Sequence, residues 1–348
     1  YEVLLDLKVV DCHMADKLKV GVAGLHRGPS FIRTFNILKE TEVVAICDVS
    51  EEALNRVGDS FDIKGRYLDY EDMLDSGIDI AVIATPMQFH AQEAISALRS
   101  GIHVLSEVTA AISLGECYLL LKAAKGSKAK YMMAENYCYI KPNVLVKSMV
   151  RQGLFGDIYF AEGEYIHDVK GLHHDKNGKP TWRYYWQVGK NGCTYGTHSL
   201  GPVLQWFNKR VVTVSCLGSG VHTDPEHVME DTVLMLCKTE GGALIKIRLD
   251  MLSNRPHNAA YYTLQGTKGC YEAPRGFGDD HKIWLTDFSK EPNKWRSLWD
   301  FEEKYLPDMW RKPPEEALKA GHWGGDYFTV KDFVDSIVHD TKPPIDIY

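Results

Sequence analysis

A phenol and an imidazole stand three residues apart in a glycine-rich stretch near the middle of the chain. Tyr195 and His198 lie within residues 192–202, and an apolar run typical of a helix follows at 203–207. If this stretch is helical, both side chains lie on one face and can address one small ligand. An imidazole with an ordinary pKa of about 6.5 can serve as a base at neutral pH. The phenol is either a hydrogen-bond donor or an acid/base group of lowered pKa, and a capped structural histidine is the alternative for the pair.

Composition restricts the class of protein that carries this pair. The chain has 348 residues, enough for two domains, with 45% hydrophobic and 25% charged residues, as in ordinary globular proteins. Its net charge of −7, without a long run of Lys and Arg, argues against nucleic acid or an anionic membrane surface as partner. No apolar run approaches the roughly 20 residues that span a bilayer. We therefore expect a small-molecule ligand, with neither nucleic acid nor membrane as partner.

The cysteines and the N-terminal residues indicate a compartment. Eight cysteines are scattered without a C-x-x-C pair, which fits buried thiols in a reducing environment. Residues 1–13 lack the pattern of a secretory signal, and we interpret them as an added or disordered segment ahead of Met14. The predicted location is cytoplasmic.

The first third of the chain has the order of a dinucleotide-binding unit. An apolar strand at 19–24 ends in Gly24, a helical pattern covers 31–38, and a second strand at 43–47 ends in Asp48. Asp48 follows Gly24 at about the offset of the carboxylate that takes ribose hydroxyls. His26 and Pro29 occupy the places of the two later glycines in the usual fingerprint, so an ordinary tight turn is the alternative.

The next strands each end in residues suited to a ligand. A buried strand at 78–84 stops at Thr85 and Pro86, another at 103–105 leads to Glu107, and one at 131–134 delivers Glu135 and Asn136. Helices alternate with these strands, which predicts a doubly wound parallel sheet of the Rossmann type. Ligands bind at the carboxyl edge of such sheets.

The second half predicts a different sheet. Alternating patterns follow a helix at 142–152, with strands at 158–166, 211–217, 232–237, 243–249 and 261–265 and a hairpin turn at 267–269. The predicted fold class is therefore α/β, with an N-terminal NAD-binding Rossmann domain at 14–138. A C-terminal α/β domain follows at 139–325, and a helix within 326–348 packs back on the first domain.

These residues resemble the GFO/IDH/MocA family of oxidoreductases. The marks are the strand and glycine at 20–24, Asp48, residues 84–86 with His90 downstream, Glu107, and Asn136. The resemblance implies an N-terminal Rossmann domain followed by a C-terminal α/β domain with an open, mainly antiparallel sheet. It also implies a bound NAD or NADP, a sugar or cyclitol substrate, and a homo-oligomer formed through the C-terminal sheet. Asp48 favours NAD over NADP.

Two departures point to a sub-branch of this family. Its dehydrogenases carry Glu-Lys-Pro where this chain has Glu107-Val108-Thr109, and an aspartate where this chain has Thr194. The chain is similar to the NAD-dependent α-N-acetylgalactosaminidase-type glycoside hydrolases. The shared runs lie at 106–108, 135–139, 150–156, 163–168, 182–183, 195–202 and 321–326.

The resemblance implies chemistry at a ring carbinol, C3 being the expected position. A hydride passes between this carbon and nicotinamide, and the net reaction is either oxidoreduction or a redox-neutral hydrolysis through oxidation, elimination, water addition and reduction. A non-catalytic sugar and NAD sensor is the alternative of another class. The implied catalytic residues are His198, Tyr195, Tyr165, Glu135 and Arg183. The implied substrate-binding residues are Tyr165, Arg183, Tyr195, Trp182 and His322, and those for the cofactor are Gly24, His26, Arg27, Asp48, Thr85, Pro86, His90, Glu107 and Asn136.

Three assignments stay open on the sequence. Glu135 lies either near nicotinamide and the reacting carbon or at a sheet edge, contacting backbone. The acids and histidines at 167–175 fit no metal-ligand template, so we expect a solvated loop near the site and no metal. The aromatic cluster of Trp182, Tyr184, Tyr185 and Trp186 suits either stacking on sugar rings or packing in a core or subunit interface.

Overall fold

A six-stranded parallel sheet forms the first half of the molecule. The computed structural model describes residues 17–187, 190–207, 209–256, 258–289 and 291–348; the interpretation of residues 1–13 lies outside these ranges. The strands are β1 Leu18–Ala23, β2 Thr41–Cys47, β3 Gly65–Tyr67, β4 Ile80–Ile83, β5 His103–Ser106 and β6 Tyr131–Met133, in the spatial order β3-β2-β1-β4-β5-β6. The connecting helices are α1 Gly28–Ile37, α2 Glu51–Phe61, α3 Tyr70–Leu74, α4 His90–Arg99 and α5 Leu114–Gly126. This is the predicted doubly wound Rossmann sheet.

An eight-stranded sheet dominates the second half. Its strands are β7 Ile158–Ile166, β8 Val211–Gly218, β9 Val233–Thr239, β10 Leu244–Asp250, β11 Asn258–Gly266, β12 Gly269–Glu272, β13 Lys282–Leu285 and β14 Arg296–Ser297. The order is β14-β13-β12-β11-β7-β10-β9-β8, and only the pair β7 and β10 is parallel among these strands. The predicted fold class, a Rossmann sheet followed by a mainly antiparallel sheet, is confirmed.

The remaining helices join the two sheets. They are α6 Lys141–Arg151, α7 Trp182–Trp186, α8 Thr197–Phe207, α9 Glu302–Tyr305, α10 Asp308–Arg311, α11 Glu315–Lys319 and α12 Gly325–Val338. Short 3-10 turns lie at Asn136–Tyr139, Lys170–Leu172, Leu298–Phe301 and His322–Gly324. One continuous hydrophobic core runs from β1 through α8 and β7 to α12, so the two sheets hold each other in place. In the part of the chain that the structure describes, no helix has the length and apolar character needed to cross a membrane.

The crossover point of the first sheet requires a glycine. Gly24 follows β1 with φ of +87°, and a Cβ there would lie 2.4 Å from the backbone carbonyl of Ala84. The turn after β1 and the turn after β4 therefore touch, which only a residue without a side chain allows. The strand order reverses at this place, where open parallel sheets bind ligands.

Helix α8 packs closely against both halves of the molecule. A Cβ at Gly201 would lie 2.7 Å from Cγ of Glu135, so this glycine lets the helix approach the end of β6. On the other side, the Tyr262 hydroxyl on β11 donates a 2.5 Å hydrogen bond to the carbonyl oxygen of His198. These contacts fix the first turn of α8 between the two sheets.

The structure corrects several local predictions. Helix α8 begins at Thr197, so Tyr195 lies in the preceding turn and not on the same helical face as His198. Strands β13 and β14 were not predicted, because runs of four and two residues are too short to show a period.

Candidate active site

A buried imidazole–carboxylate pair lies at the carboxyl end of β6. His198 Nδ1 is 2.7 Å from Glu135 Oε1; His198 is 6% exposed and Glu135 is fully buried. When Nδ1–H donates to the carboxylate, Nε2 is the nitrogen that can take a proton. Glu135 Oε1 also accepts a hydrogen bond from the Tyr137 amide. The backbone contact expected in one interpretation of Glu135 is thus present, its place near nicotinamide stays a prediction, and its pairing with His198 was not predicted.

Three aromatic rings surround His198. Tyr137 stacks on the imidazole with ring centroids 4.2 Å apart, and the rings of Tyr165 and Tyr195 each lie 5.1 Å from it. Tyr137 was not among the predicted site residues. Its position in the run that resembles the glycoside hydrolases was the available signal. The three rings leave the imidazole in a largely apolar enclosure.

The two predicted phenols are held in their neutral form. Burial raises the pKa of Tyr165 to about 12, against the opposing charge of Arg183. Burial also raises the pKa of Tyr195 far above its ordinary value, with the Glu107 carboxylate adding to the effect. The suggestion of a lowered pKa for Tyr195 is thus contradicted, since both of its largest influences disfavour the phenolate. At neutral pH both phenols keep their O–H groups and can therefore donate hydrogen bonds.

One buried carboxylate beside this cluster accepts hydrogen bonds from four side chains. Asp326, in the first turn of α12, accepts from Arg27 Nη2 at 2.9 Å and Asn136 Nδ2 at 2.8 Å. It also accepts from Ser30 Oγ at 3.2 Å and from His322 Nδ1 at 3.0 Å. Burial alone would raise the pKa of Asp326, but the His322 hydrogen bond and the Arg27 charge hold it well below its usual range. Three residues predicted to bind cofactor or substrate thus converge on Asp326, which the site prediction did not include.

The turn after β1 fits a dinucleotide. The N-terminus of α1 has neither a side-chain cap nor an acidic residue in its own first turn, so its amides are available to a pyrophosphate, although the Asp326 carboxylate contacts Ser30 of this turn. Asp48 lies beside the turn, where its carboxylate accepts from the amides of Leu25 at 2.7 Å and Ser50 at 2.9 Å. Each oxygen keeps a lone pair for a ribose hydroxyl.

Two buried polar atoms at the end of β6 lack a hydrogen-bond partner within the described residues. They are Glu135 Oε2 and Asn136 Oδ1. Buried polar atoms are ordinarily paired, so such atoms at a sheet edge fit contact with a ligand. Together with the turn after β1, they make the residues present compatible with a bound NAD.

Three other predicted cofactor residues, Thr85, Pro86 and His90, follow β4 at the same edge of the sheet. The Thr85 hydroxyl donates to Glu93 at 2.6 Å, next to Pro86. His90 is buried, with its ring nitrogens 2.8 Å from the Thr109 carbonyl and 2.7 Å from the Thr85 carbonyl. His90 therefore holds two loops together. Its predicted effect on the cofactor would come from positioning these loops. His26 is exposed in the turn after β1.

Thr194, which replaces the aspartate of the family's dehydrogenases, makes a structural hydrogen bond. Its hydroxyl donates to the Gln187 carbonyl at 2.9 Å, and the Gln187 side chain accepts from Arg183 at 3.1 Å. The Arg183 guanidinium also lies over the ring of Trp182, 4.4 Å from its centroid. The end of α7 is thereby tied to the turn that carries Tyr195.

The acid- and histidine-containing loop at 167–175 is less solvated than predicted, because Val169 and His173 are buried and the half-buried His167 packs against Tyr165. His173 is 1% exposed and packs edge-on against His227, with ring centroids 4.5 Å apart. Burial next to His227 lowers the pKa of His173 to about 4, so the ring is neutral at physiological pH. His174 and Asp175 are exposed, as predicted. No group of three or more His, Cys, Asp or Glu side chains in the described ranges is arranged to hold a metal ion.

Comparisons with known sequences place these features in a family. Residues 18–135 match the oxidoreductase family with an NAD-binding Rossmann fold, and 144–272 match the GFO/IDH/MocA C-terminal domain. Residues 218–348 match the C-terminal domain of glycosyl hydrolase 109. An alpha-N-acetylgalactosaminidase of Shewanella oneidensis is 30% identical, over 89% of this chain and 74% of the relative. A glycosyl hydrolase family 109 protein of Shewanella baltica is also 30% identical, over 90% and 74%.

Solved structures share the fold at lower identity. A levoglucosan dehydrogenase in complex with NADH and levoglucosan superposes with a TM-score of 0.81 at 19% identity, covering 95% of this chain and 92% of that one. An aldose-aldose oxidoreductase from Caulobacter crescentus gives 0.74 at 19% identity with the same coverage. The Rossmann sheet, the second sheet and the matched segments agree, and the chain belongs to the GFO/IDH/MocA oxidoreductase family and to its glycosyl hydrolase 109 members.

Proposed function

We propose that this protein is a redox-neutral, NAD-dependent glycoside hydrolase that removes a terminal N-acetylgalactosamine, or a closely related sugar, from an α-glycoside. The buried Glu135–His198 pair, next to two neutral phenols at the carboxyl edge of the Rossmann sheet, carries this proposal. The choice of sugar is supported by the name of the Shewanella oneidensis relative.

His198 is the base in this proposal. Bound NAD supplies a two-electron acceptor that takes hydride from a ring carbinol and later returns it. His198 Nε2 takes the hydroxyl proton as the carbinol becomes a ketone, and it gives the proton back in the final reduction. Glu135 fixes the Nδ1–H tautomer and stabilises the imidazolium that forms, so it acts as a positioning residue.

The phenols serve the steps between oxidation and reduction. A ketone at C3 acidifies the neighbouring C2–H, and solvent water accepts that proton. The C–H electron pair then forms the C1–C2 double bond, while the aglycone leaves with the electron pair of the C1–O bond and takes a proton from solvent. Water then adds to the resulting double bond at C1, and C2 regains a proton. Tyr165 and Tyr195 donate hydrogen bonds to the enolate oxygen, whose charge Arg183 also stabilises.

The residue in place of the dehydrogenase lysine favours hydrolysis over net oxidation. Val108 is only 5% exposed, so this position has an apolar side chain in place of the lysine ammonium group. The proton relay of a sugar dehydrogenase would lack its usual partner there. Net sugar oxidation is nevertheless a second candidate, because the protein shares its fold with sugar dehydrogenases.

One assay separates these functions. The purified protein is incubated with a panel of p-nitrophenyl glycosides that includes the α-N-acetylgalactosaminide, and aglycone release and nicotinamide absorbance are followed together. We expect aglycone release without net NADH. Stoichiometric NADH without release would instead identify a dehydrogenase, and tight NAD binding with neither signal would identify a sensor.

Asp48 supports NAD as the cofactor in preference to NADP. An acidic residue after the second strand of such a fold favours a ribose 2′-hydroxyl over a 2′-phosphate, and the hydrogen bonds of the Asp48 carboxylate come from the amides of Leu25 and Ser50. We expect NAD to bind at least about tenfold more tightly than NADP in calorimetric titrations of cofactor-free protein, since two like charges repel. Equal affinities would contradict this assignment.

The outer face of the second sheet supports a homo-oligomer. Leu217, Leu234, Leu236 and Leu244 lie on this face and are 75%, 40%, 54% and 50% exposed. Such a group of exposed leucines favours coverage by another apolar surface, and we propose a second copy of this chain as its partner. In light scattering we expect the wild type to be an oligomer and the double variant Leu234→Glu, Leu236→Glu to be a monomer. Leu114→Glu, at an exposed leucine of α5, is the matched control; a monomeric wild type would refute the proposal.

A cytoplasmic location is supported by the thiols. The seven cysteines in the described part of the chain are all unpaired, and Cys47, Cys138 and Cys237 are buried. Thiols in this state fit a reducing compartment. Fractionation of the source cells would test the location, and recovery outside the cytoplasm would contradict it.

A further inference from the structure

An open cavity of about 510 Å³ lies along α7. Its walls are Tyr184, Tyr185 and Trp186 of α7 together with Glu226 and His227 of a facing loop, and we call it the aromatic pocket. No step described above uses any of these residues. The sequence left the aromatic run with two possible roles, a sugar platform or a packed core.

The aromatic pocket has the chemistry of a sugar site. Tyr185 is 55% exposed, so it is no core residue, and its ring meets that of Tyr184 edge to face at 5.3 Å. Trp186 lies beneath the Lys190 ammonium, which is 4.8 Å from its ring centroid. Exposed rings bordered by a cation and the Glu226 carboxylate match a pyranose, whose C–H face stacks on aromatics while its hydroxyls take hydrogen bonds.

A buried histidine in the wall adds a separate observation. His227 is 7% exposed and packs against Tyr184, with ring centroids 5.1 Å apart. Its Nδ1 lies 2.8 Å from Asp224 Oδ2, but outside hydrogen-bonding geometry, and its Nε2 has no hydrogen-bond partner within the described ranges. An unsatisfied buried imidazole next to a cavity is unusual unless a ligand or water completes it.

The pocket is one helix away from the reacting groups. Arg183 belongs to the same short helix, and its charge acts on the phenols of Tyr165 and Tyr195. The end of this helix is tied to the turn of Tyr195 through the hydrogen bond from Thr194 to Gln187. Because α7 has only five residues and is about 7.5 Å long, Arg183 and the pocket lie close together, and a ligand longer than one sugar unit can reach both.

We propose that the aromatic pocket binds a further sugar unit of an oligosaccharide substrate, on the leaving-group side of the cleaved bond. This inference rests on the proposed hydrolase function. It makes the preferred substrate a terminal sugar linked to other sugars, and not a simple glycoside. Binding energy from the remote unit would then position the bond for cleavage.

Two substrates with the same terminal sugar test this proposal. The kcat/KM values of wild type, Trp186→Ala and Tyr185→Ala are compared on p-nitrophenyl α-N-acetylgalactosaminide and on a trisaccharide with a terminal α-linked N-acetylgalactosamine. We expect each variant to lose about tenfold on the trisaccharide, mainly through KM, and to stay within about twofold on the aryl glycoside. Tyr118→Ala, at a 66% exposed tyrosine of α5, is the matched control. Equal losses on both substrates, or no loss on the trisaccharide, would refute the proposal that the aromatic pocket binds a further sugar unit.

A binding measurement keeps the two proposals distinguishable. If the wild type cleaves neither substrate, the hydrolase function fails, and trisaccharide binding to the NAD-loaded protein is followed by ligand-observed NMR. Binding by the wild type that is lost in Trp186→Ala would still support the pocket. Binding that the variant retains, or no binding by the wild type, would refute it. Thermal melting of both variants excludes misfolding as the cause.

Discussion

Replacement of His198 by alanine is expected to lower kcat by roughly 10²–10⁴-fold, the range that a positioned general base contributes. The imidazole is the group of the cluster that can take a proton at neutral pH, because both neighbouring phenols are held neutral. NAD should stay bound, since His198 reaches the site from α8 and contacts neither Gly24 nor Asp48. Aglycone release measures the first effect, and the nicotinamide content of the purified variant measures the second.

The conservative change Glu135→Gln tests the supporting half of this pair. An amide offers no negative charge to the imidazolium and can hold the wrong imidazole tautomer, so a loss of kcat of up to about 10⁴-fold is expected. Its kcat should also show an altered pH profile, which a merely structural role would not produce. Loss of bound NAD from His198→Ala, or full activity in either variant, would show that the pair is structural.

Replacement of Asp326 by alanine is expected to cost about 3–5 kcal/mol in the free energy of unfolding, as breaking buried ion pairs does. The change leaves Asn136 and Ser30 without their acceptor and deprives Arg27 of one of its two carboxylates. NAD affinity should fall as well, because Arg27 and Asn136 are predicted cofactor residues. Urea denaturation and NAD titration measure the two effects.

The pH dependence of the Asp326 contribution has a definite sign. Because its folded-state pKa lies below the ordinary value of 3.8, the stabilisation is fully present above about pH 4 and is lost as the pH falls further. Asp326→Asn keeps the shape and removes the charge, so its deficit against wild type should be constant from pH 5 to 7 and shrink at lower pH. A deficit that grows in acid would contradict this account of the four donors.

Much of the fold could be predicted because its elements are long and periodic. The nine-residue alternation of β7 and the apolar strands β1 and β4 each lie close to their predicted positions. The short elements β3, β14 and α3 carry too few residues for a period to register. The three-residue spacing of Tyr195 and His198 is compatible with a helix, but Gly192 and Gly196, on either side of Tyr195, favour the observed turn.

The sequence predicts many of the residues that form the site, but not which of them contact each other. Glu135 and His198 each follow from their places in the family pattern, but they are 63 residues apart and meet only through the packing of α8 on β6. Asp326 gathers donors up to 299 residues distant in sequence. His173 looked solvated because its neighbours are charged, and only its contact with His227 explains its burial.

The two phenols beside His198 stand on backbones of different stiffness. Tyr165 belongs to β7, which has hydrogen-bonded neighbours on both sides, β11 and β10, and interior strands of this kind exchange their amides slowly. Tyr195 lies in a turn, tied to the rest of the protein through the neighbouring Thr194. If both phenols contact the substrate as proposed, we expect Tyr165 to be a preorganised contact whose position does not depend on the ligand, and Tyr195 to be the side of the site that adapts to ligands of different shape.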